Sequence, residues 1–365
     1  MLATLIDDRP RSRPTRSAAV VGVLIALVIG SLALLWAKWA PYLAKAVTLS
    51  SSHKWSGTDI LATGGVHPGD APSWHAATSF LGVYGLAIWK ALVAAVLISA
   101  AIQALVPRTW LRRLLGRRRP TGAAVVGGLM STPSMMCTCC AAPVASTLRR
   151  DGVPTAAAVA YWLGNPLLNP AVIVFLAFVA PWQWTVTRLA IGALLVVVGS
   201  TVVARIADRG TSADAAALLT ADVEAPDGQD WWAQSPDRFA RALLRLVVTV
   251  LPEYLVMVLL VGAFRGWLFP LGSDALHSGL LVILVAAIVG TLVVIPTAGE
   301  IPIIQGLAVA GLSMGAVGAL LVTLPAVSVP GMTMVLRAFG WRATIATAGV
   351  VAVGGVAAGA LLTLL

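Results

Sequence analysis

Charge is what this chain has least of. Asp, Glu, Lys and Arg make up 11% of its 365 residues, well under the roughly one quarter of an average soluble domain. Hydrophobic residues account for 59%, and the mean hydropathy is +0.90. Such a composition excludes a soluble globular domain and a disordered chain alike. Acids are scarcer than bases, 15 against 25. No Walker-type phosphate loop is present, which argues against an ATP-driven pump within this chain. Cysteine is limited to three residues, an odd number that makes no disulfide framework. Nothing in the sequence calls for a bound cofactor.

What is present in quantity is long apolar sequence. Charge-free blocks recur at Ala18–Trp36, Gly152–Thr187, Ala275–Gly299, Ile301–Leu336 and Ala343–Leu365. Each is long enough to cross a bilayer of about 30 Å at roughly 1.5 Å per residue. The sequence therefore predicts an all-α polytopic membrane protein whose partner is the lipid bilayer. The +10 net charge invites a nucleic-acid reading, but six arginines fall between Arg108 and Arg119, beside an apolar block. That is a juxtamembrane topology signal, and no nucleic-acid partner is expected. The N-terminal arginines Arg9, Arg11, Arg13 and Arg16 precede an apolar run without a clear cleavage site, which reads as an uncleaved first span.

Topology follows from the arginines. With the N-terminus cytoplasmic, a first span at about Ala18–Ala40 leads to an extracytoplasmic loop, Pro41–Ser79. A span at Phe80–Val106 returns to the Arg108–Arg119 loop. The next basic pair, Arg149-Arg150, also belongs in the cytoplasm, so the segment between enters and leaves on one side as a re-entrant hairpin. Spans at Pro154–Ala180 and Thr185–Ala204 follow, then an acidic linker. The expected division is 1–73 for the N-terminal helix and loop, 74–207 for a first repeat, 208–240 for a cytoplasmic linker and 241–365 for a second repeat.

The repeat is written in proline and glycine. Pro143, Leu148, Gly152 and Pro166 have the same mutual offsets as Pro302, Leu307, Gly311 and Pro325. Pro166-x-x-x-Pro170 corresponds to Pro325-x-x-x-x-Pro330, one residue longer. Span counting makes the two copies inverted, with a second hairpin at about Leu280–Ala310 and a last pair of spans that leaves Arg337 and Arg342 cytoplasmic. Inverted repeats with paired broken helices are a secondary-transporter architecture, with the site near the midplane.

All three cysteines stand in the run Met135-Met136-Cys137-Thr138-Cys139-Cys140, inside a charge-free stretch from Pro120 to Leu148. Pro133 and Pro143 flank the run and suggest broken helices. Irregular backbone at membrane depth is tolerated where it is buried in protein or lines a cavity. Soft sulfur ligands suit soft metals and metalloids, whereas a buried cysteine also serves as a small hydrophobe. Met135 and Met136 read as packing.

Further candidates share this dual reading. Asn165 and Asn169 each precede a proline, which frees carbonyls; they either line a path or satisfy a structural kink. Glu300, at the break of the second hairpin, reads as a proton-coupling carboxylate or a helix-start cap. Lys90 and Glu253 occupy matched positions before Pro107 and Pro270, where an inverted fold would bring opposite charges together unless each snorkels to its own interface.

The pattern Pro133-x-x-x-Cys137-x-Cys139, followed by Pro143, Leu148, Gly152 and Asn165-Pro166-x-x-Asn169-Pro170, resembles the predicted permease family that contains the ArsP-like organoarsenical efflux permeases. The likeness covers about Trp74–Leu365. It implies a polytopic permease and, in ArsP-like members, export of trivalent organoarsenicals with membrane cysteines involved. Cys140 departs from the expected Cys-x-Cys-Gly and adds a third thiol. The reading is a permease exporting a small soft thiol-reactive species by alternating access, not an enzyme, possible as a homo-oligomer. Two alternatives remain: an anion or small-solute channel with structural cysteines, and a membrane thiol–disulfide oxidoreductase, against which the expectation is that neither a soluble redox domain nor a Cys-x-x-Cys motif accompanies the thiols.

Overall fold

The computed structural model describes residues 15–55, 63–67, 69–116, 119–208, 234–268, 279–309 and 311–365. The described residues are helical throughout, with six helices long and apolar enough to cross a membrane. In chain order the helices are α1 (Arg16–Ser52), α2 (Trp74–Leu105), α3 (Arg108–Leu115), α4 (Pro120–Ser131) and α5 (Thr138–Arg150). Next come α6 (Thr155–Leu167), α7 (Pro170–Val179), α8 (Trp182–Asp208) and α9 (Ser235–Leu268). The chain ends with α10 (Leu280–Leu292), α11 (Glu300–Val309), α12 (Met314–Ala326) and α13 (Val329–Leu364), the last kinked at Gly340. The acidic linker expected at 208–240 falls largely outside the described residues.

The first helix corrects an expectation: it runs to Ser52 instead of stopping near Ala40, although Pro41 lies within it. Proline lacks an N–H and crowds the carbonyl four residues back. Here a wide π-turn at Leu35–Trp39 precedes Pro41 and relieves that crowding. Left-handed His53 (φ 51°) ends the helix, its N–H bonded to the Leu49 carbonyl at 2.9 Å. The arginine-rich stretch after α2 is likewise no mere loop, since Arg108–Leu115 is helical.

Helices α4 and α5, with 12 and 13 residues, and α10 and α11, with 13 and 10, are too short to cross a 30 Å core singly at about 1.5 Å per residue. Each pair meets at a break in the α-helix, 132–137 in the first, where Thr132–Ser134 forms a 3-10 turn, and 293–299 in the second. Both tips contain a left-handed non-glycine residue, Met135 (φ 49°) and Ala298 (φ 68°). The first break sits at Pro133, whereas Pro143 is inside α5 and does not interrupt it. What Pro143 does is leave the Cys139 carbonyl without its usual intrahelical donor.

The sequence offsets have local physical causes. Gly152 and Gly311 are left-handed (φ 87° and 96°), a conformation glycine adopts without a Cβ penalty. Each closes its helix by the same bonds: Gly152 N–H to Arg149 O (3.2 Å) and Val153 N–H to Leu148 O (3.1 Å), Gly311 N–H to Ala308 O (3.1 Å) and Leu312 N–H to Leu307 O (3.0 Å). Pro166 and Pro325 are penultimate in α6 and α12. Those helices lie at one displacement, 159 residues (314 − 155 and 326 − 167). Helices α7 and α13 begin at the same displacement (329 − 170), so the later proline at 330 reflects a shift within the first turn and not an inserted residue. Asn169 and Ser328, again 159 apart (328 − 169), cap these helices with side-chain oxygens.

Packing in the centre relies on small residues. A methyl at Gly127 would collide with the Ala157 carbonyl, and one at Gly318 would approach the Ala358 carbonyl to 2.6 Å. Close backbone approach of this kind is how helices associate without a hydrophobic drive between them.

Candidate functional site

The first hairpin tip gathers the thiols. Cys137 occupies the N-cap of α5 in extended geometry, and Cys139 and Cys140 lie in its first turn. The chain reversal at Met135 and the helix start bring the three Sγ atoms together. Cys137 Sγ is 3.2 Å from Cys139 Sγ and 3.0 Å from Cys140 Sγ, and all three lie within 4.8 Å of one another. All are buried free thiols. The unpaired N–H groups and the positive dipole end of α5 face this cluster, an environment that favours developing negative charge. Cys137 and Cys140 also stand at Cys-x-x-Cys spacing, a feature easily overlooked in a run of three thiols.

Two tyrosines complete the sulfur site. Tyr84 from α2 places its hydroxyl 3.4 Å from Cys139 Sγ, and Tyr254 from α9 places its own 3.7 Å away. Their rings stack at 6.2 Å between centroids. The two halves of the chain thus meet at one thiol.

Asn165 holds the tip in place. Its amide Oδ1 accepts from the Ser134 hydroxyl and from Met136 N–H (3.2 Å), and Nδ2 donates to the Tyr161 carbonyl at 2.9 Å. Trp162 Nε1 donates to the Thr138 carbonyl at 2.9 Å. Asn169 instead caps α7, accepting from Ala171 and Val172 N–H, and its buried Nδ2 has no partner. Asn165 therefore fastens the thiol-bearing tip to α6 and Asn169 fixes the start of α7, and neither amide hydrogen-bonds a thiol among the described residues.

Glu300 begins α11 and forms an ion pair with Arg188 of α8 at 2.8 Å, with side chains 2% and 0% exposed. Arg188 Nη2 also donates to the Pro166 carbonyl (2.8 Å) and Nε to the Leu167 carbonyl (3.4 Å). One guanidinium thereby ties Glu300 to the carbonyls of Pro166 and Leu167, the first of which lacks its usual donor because residue 170 is proline. The expected meeting of Lys90 and Glu253 does not occur. Glu253 pairs with Arg337 at 2.7 Å, while Lys90 lies over the Trp36 and Trp89 rings at 5.7 and 5.8 Å. Equal spacing to a later proline fixes height along a helix but not the face, and the two side chains point to different neighbours. Pro302 lies in the first turn of α11, where a missing N–H leaves no carbonyl unpaired.

Tyr84, Tyr254, Arg188 and Lys38 were absent from the sequence reading, and the two tyrosines carry no local signal. Arg188 and Lys38 are basic side chains inside apolar spans, and that rarity alone was the available signal. Lys38, 6% exposed, donates to Tyr42 Oη (2.9 Å) and to Thr297 Oγ1 (3.1 Å) at the second hairpin tip. Its neighbour Trp39 donates from Nε1 to the Pro133 carbonyl (2.7 Å) at the first tip. The N-terminal helix thus touches both tips, and the Lys38 charge is close enough to interact with Cys137 and Cys140.

The family model ArsP_1, described as a predicted permease, matches residues 73–364. The chain belongs to this predicted permease family. It is also similar to the UPF0718 protein YraQ of Escherichia coli (strain K12), with 42% identity over 328 residues, 90% of this chain and 91% of the relative. No solved structure matches. The match covers both hairpins and both broken spans, while α1, with Lys38 and Trp39, precedes the residues that the family model spans.

Proposed function

We propose that this permease binds a small soft thiol-reactive species, such as a trivalent arsenical, at Cys137, Cys139 and Cys140, and exports it by alternating access. The observation that carries the reading is the convergence of three buried Sγ atoms within 4.8 Å at a helix break. A pyramidal trivalent centre bonded to sulfur at about 2.3 Å sets its sulfurs roughly 3.5 Å apart, close to the 3.2 and 3.0 Å separations here, so the thiols need only small rotations to engage it. The arsenical or metal ion in this reading is cargo, not a resident cofactor. Asn165 and Asn169 hold the break that shapes the path, and the Glu300–Arg188 pair is the element whose protonation or rearrangement couples the second hairpin to transport.

Alternating access rests on reading the halves, 74–207 and 241–365, as inverted repeats with re-entrant hairpins. Three observations support it: the four short hairpin helices, the constant displacement of 159 residues, and a reciprocal pair of contacts. Ser146 Oγ of α5 donates to the Met334 carbonyl of α13 (3.3 Å), and Gln305 Nε2 of α11 donates to the Val179 carbonyl of α7 (2.6 Å). Positions 146 and 305 share the same displacement (305 − 146 = 159), so each hairpin bonds the broken span of the other half. The protein sits in the bacterial cytoplasmic membrane with its N-terminus inside, a reading that the similarity to an Escherichia coli protein and the basic loops support.

Expression in an arsenic-sensitive bacterial host is expected to raise survival on trivalent methylarsenical and to lower its cellular accumulation. Unchanged survival and accumulation would remove the substrate assignment. In a cysteine-free background, single cysteines at Arg149 and Arg337 are expected to resist impermeant maleimide added to intact cells. Labelling at Arg149 from outside would mean that 120–150 crosses the membrane and is no hairpin.

A second reading has a specific observation behind it. Cys137 and Cys140, at Cys-x-x-Cys spacing with Sγ 3.0 Å apart, suit a membrane thiol–disulfide exchange pair. Under that reading Cys139→Ser retains activity while Cys137→Ser and Cys140→Ser do not.

A further inference from the structure

A cavity of about 460 Å³ lies between α1, α2 and the second hairpin tip. Lys38, Lys45 and Lys90 line it, and none of its lining residues is acidic. Among the described residues none of the three makes an ion pair. Lys45 and Lys90 rest on aromatic faces: Lys45 Nζ lies 3.5 Å from the Trp55 ring centroid, and Lys90 lies over Trp36 and Trp89. Lys38 donates to the Tyr42 and Thr297 hydroxyls, and its Nζ also lies 5.0 Å from the Tyr42 ring centroid. A buried ammonium with no carboxylate beside it is unfavourable, and two more ammonium groups lining the same cavity add repulsion. A bound anion would remove both penalties.

We propose that this cavity is an anion site, with Lys38 as the central ligand, and that it takes a small, weakly hydrated anion. The lining chooses the class. Apart from the ammonium groups, Tyr42 and Thr297, the walls are carbon: Trp55, Val83, Leu86, Ile88, Pro296 and Pro302. A strongly hydrated dianion gives up more hydration than such a wall replaces, whereas a soft monoanion gives up little. No cysteine lines the cavity, so the anion would be held apart from the thiol cluster. Thr297 and Pro296 belong to the second hairpin tip, so occupancy links the N-terminal helix to that hairpin.

The test uses the full chain in detergent micelles, titrated calorimetrically with potassium thiocyanate at constant ionic strength in potassium gluconate. Saturable binding to one site is expected. Lys38→Met should weaken it at least tenfold, and the double variant Lys45→Met with Lys90→Met several-fold. Sulfate should bind at least tenfold more weakly than thiocyanate. A triple cysteine-to-serine chain should bind thiocyanate within twofold of wild type, which separates this site from the thiol reading. Absence of saturable binding overturns the proposal, as does equal affinity for sulfate. Loss of binding in the triple-serine chain would overturn it by moving the anion to the thiols. Should Lys38→Met fail to fold, the Lys45/Lys90 double variant decides, because those charges are not fully buried; wild-type affinity there overturns the proposal.

Discussion

Replacing Arg188 with methionine is expected to destabilise the protein by about 3–5 kcal/mol, the usual penalty for stranding one partner of a buried ion pair. The size follows from the site. Glu300 is 2% exposed, and its ion-pair partner in the structure is the guanidinium 2.8 Å away. The same substitution removes the donors to the Pro166 and Leu167 carbonyls, which lie at a helix break with no intrahelical bond to fall back on. Glu300→Gln alone leaves the arginine charge buried and should be nearly as damaging. The double variant Arg188→Met with Glu300→Gln removes both charges and should recover most of the lost stability, which a thermal-unfolding cycle measures. Additive losses would mean that the pair does not act as a unit. If the double variant folds, its transport rate separates two roles: wild-type transport would make the pair a structural tie, and its loss would make it part of the transport cycle.

The second large effect concerns the sulfurs. Cys137→Ser should lower arsenical transport by at least 100-fold, because Cys137 is the thiol shared by both short contacts, at 3.2 and 3.0 Å. Serine keeps the shape and a hydrogen-bonding hydroxyl but lacks the soft, polarizable sulfur. The stability loss should stay near the 1–3 kcal/mol typical of introducing a hydroxyl into a buried site, small beside the transport effect. Cys139→Ser should behave similarly in transport, with Tyr84 and Tyr254 able to hydrogen-bond the new hydroxyl. Full transport by a triple-serine chain would refute thiol contact and leave the permease with cysteines that only pack.

The N-terminal helix gives the clearest case of information that sequence order hides. Lys38 and Trp39 are adjacent in sequence and reach the two hairpin tips, at Thr297 and Pro133, which lie 164 positions apart in the chain (297 − 133). Nothing in local periodicity could report those contacts, because they depend on where α1 packs and on the wide turn that rotates its lower half.

Local rules, by contrast, were legible. Scarcity of charge determined the membrane class, and long unbroken apolar runs pointed to helices, which satisfy their backbone groups within one segment in lipid. The matched Gly152 and Gly311, and Pro166 and Pro325, marked where helices end, because glycine enters the left-handed region without strain and proline withholds a donor; the matched Pro143 and Pro302 did not. The cysteine run determined the thiol site, since three residues so close in sequence cannot be far apart in space. Pairing between distant side chains was decided only by tertiary structure. Glu253 takes Arg337 and Glu300 takes Arg188 because the choice depends on helix rotation and on which carbonyls lie nearby, and neither has a short-range signature in the chain.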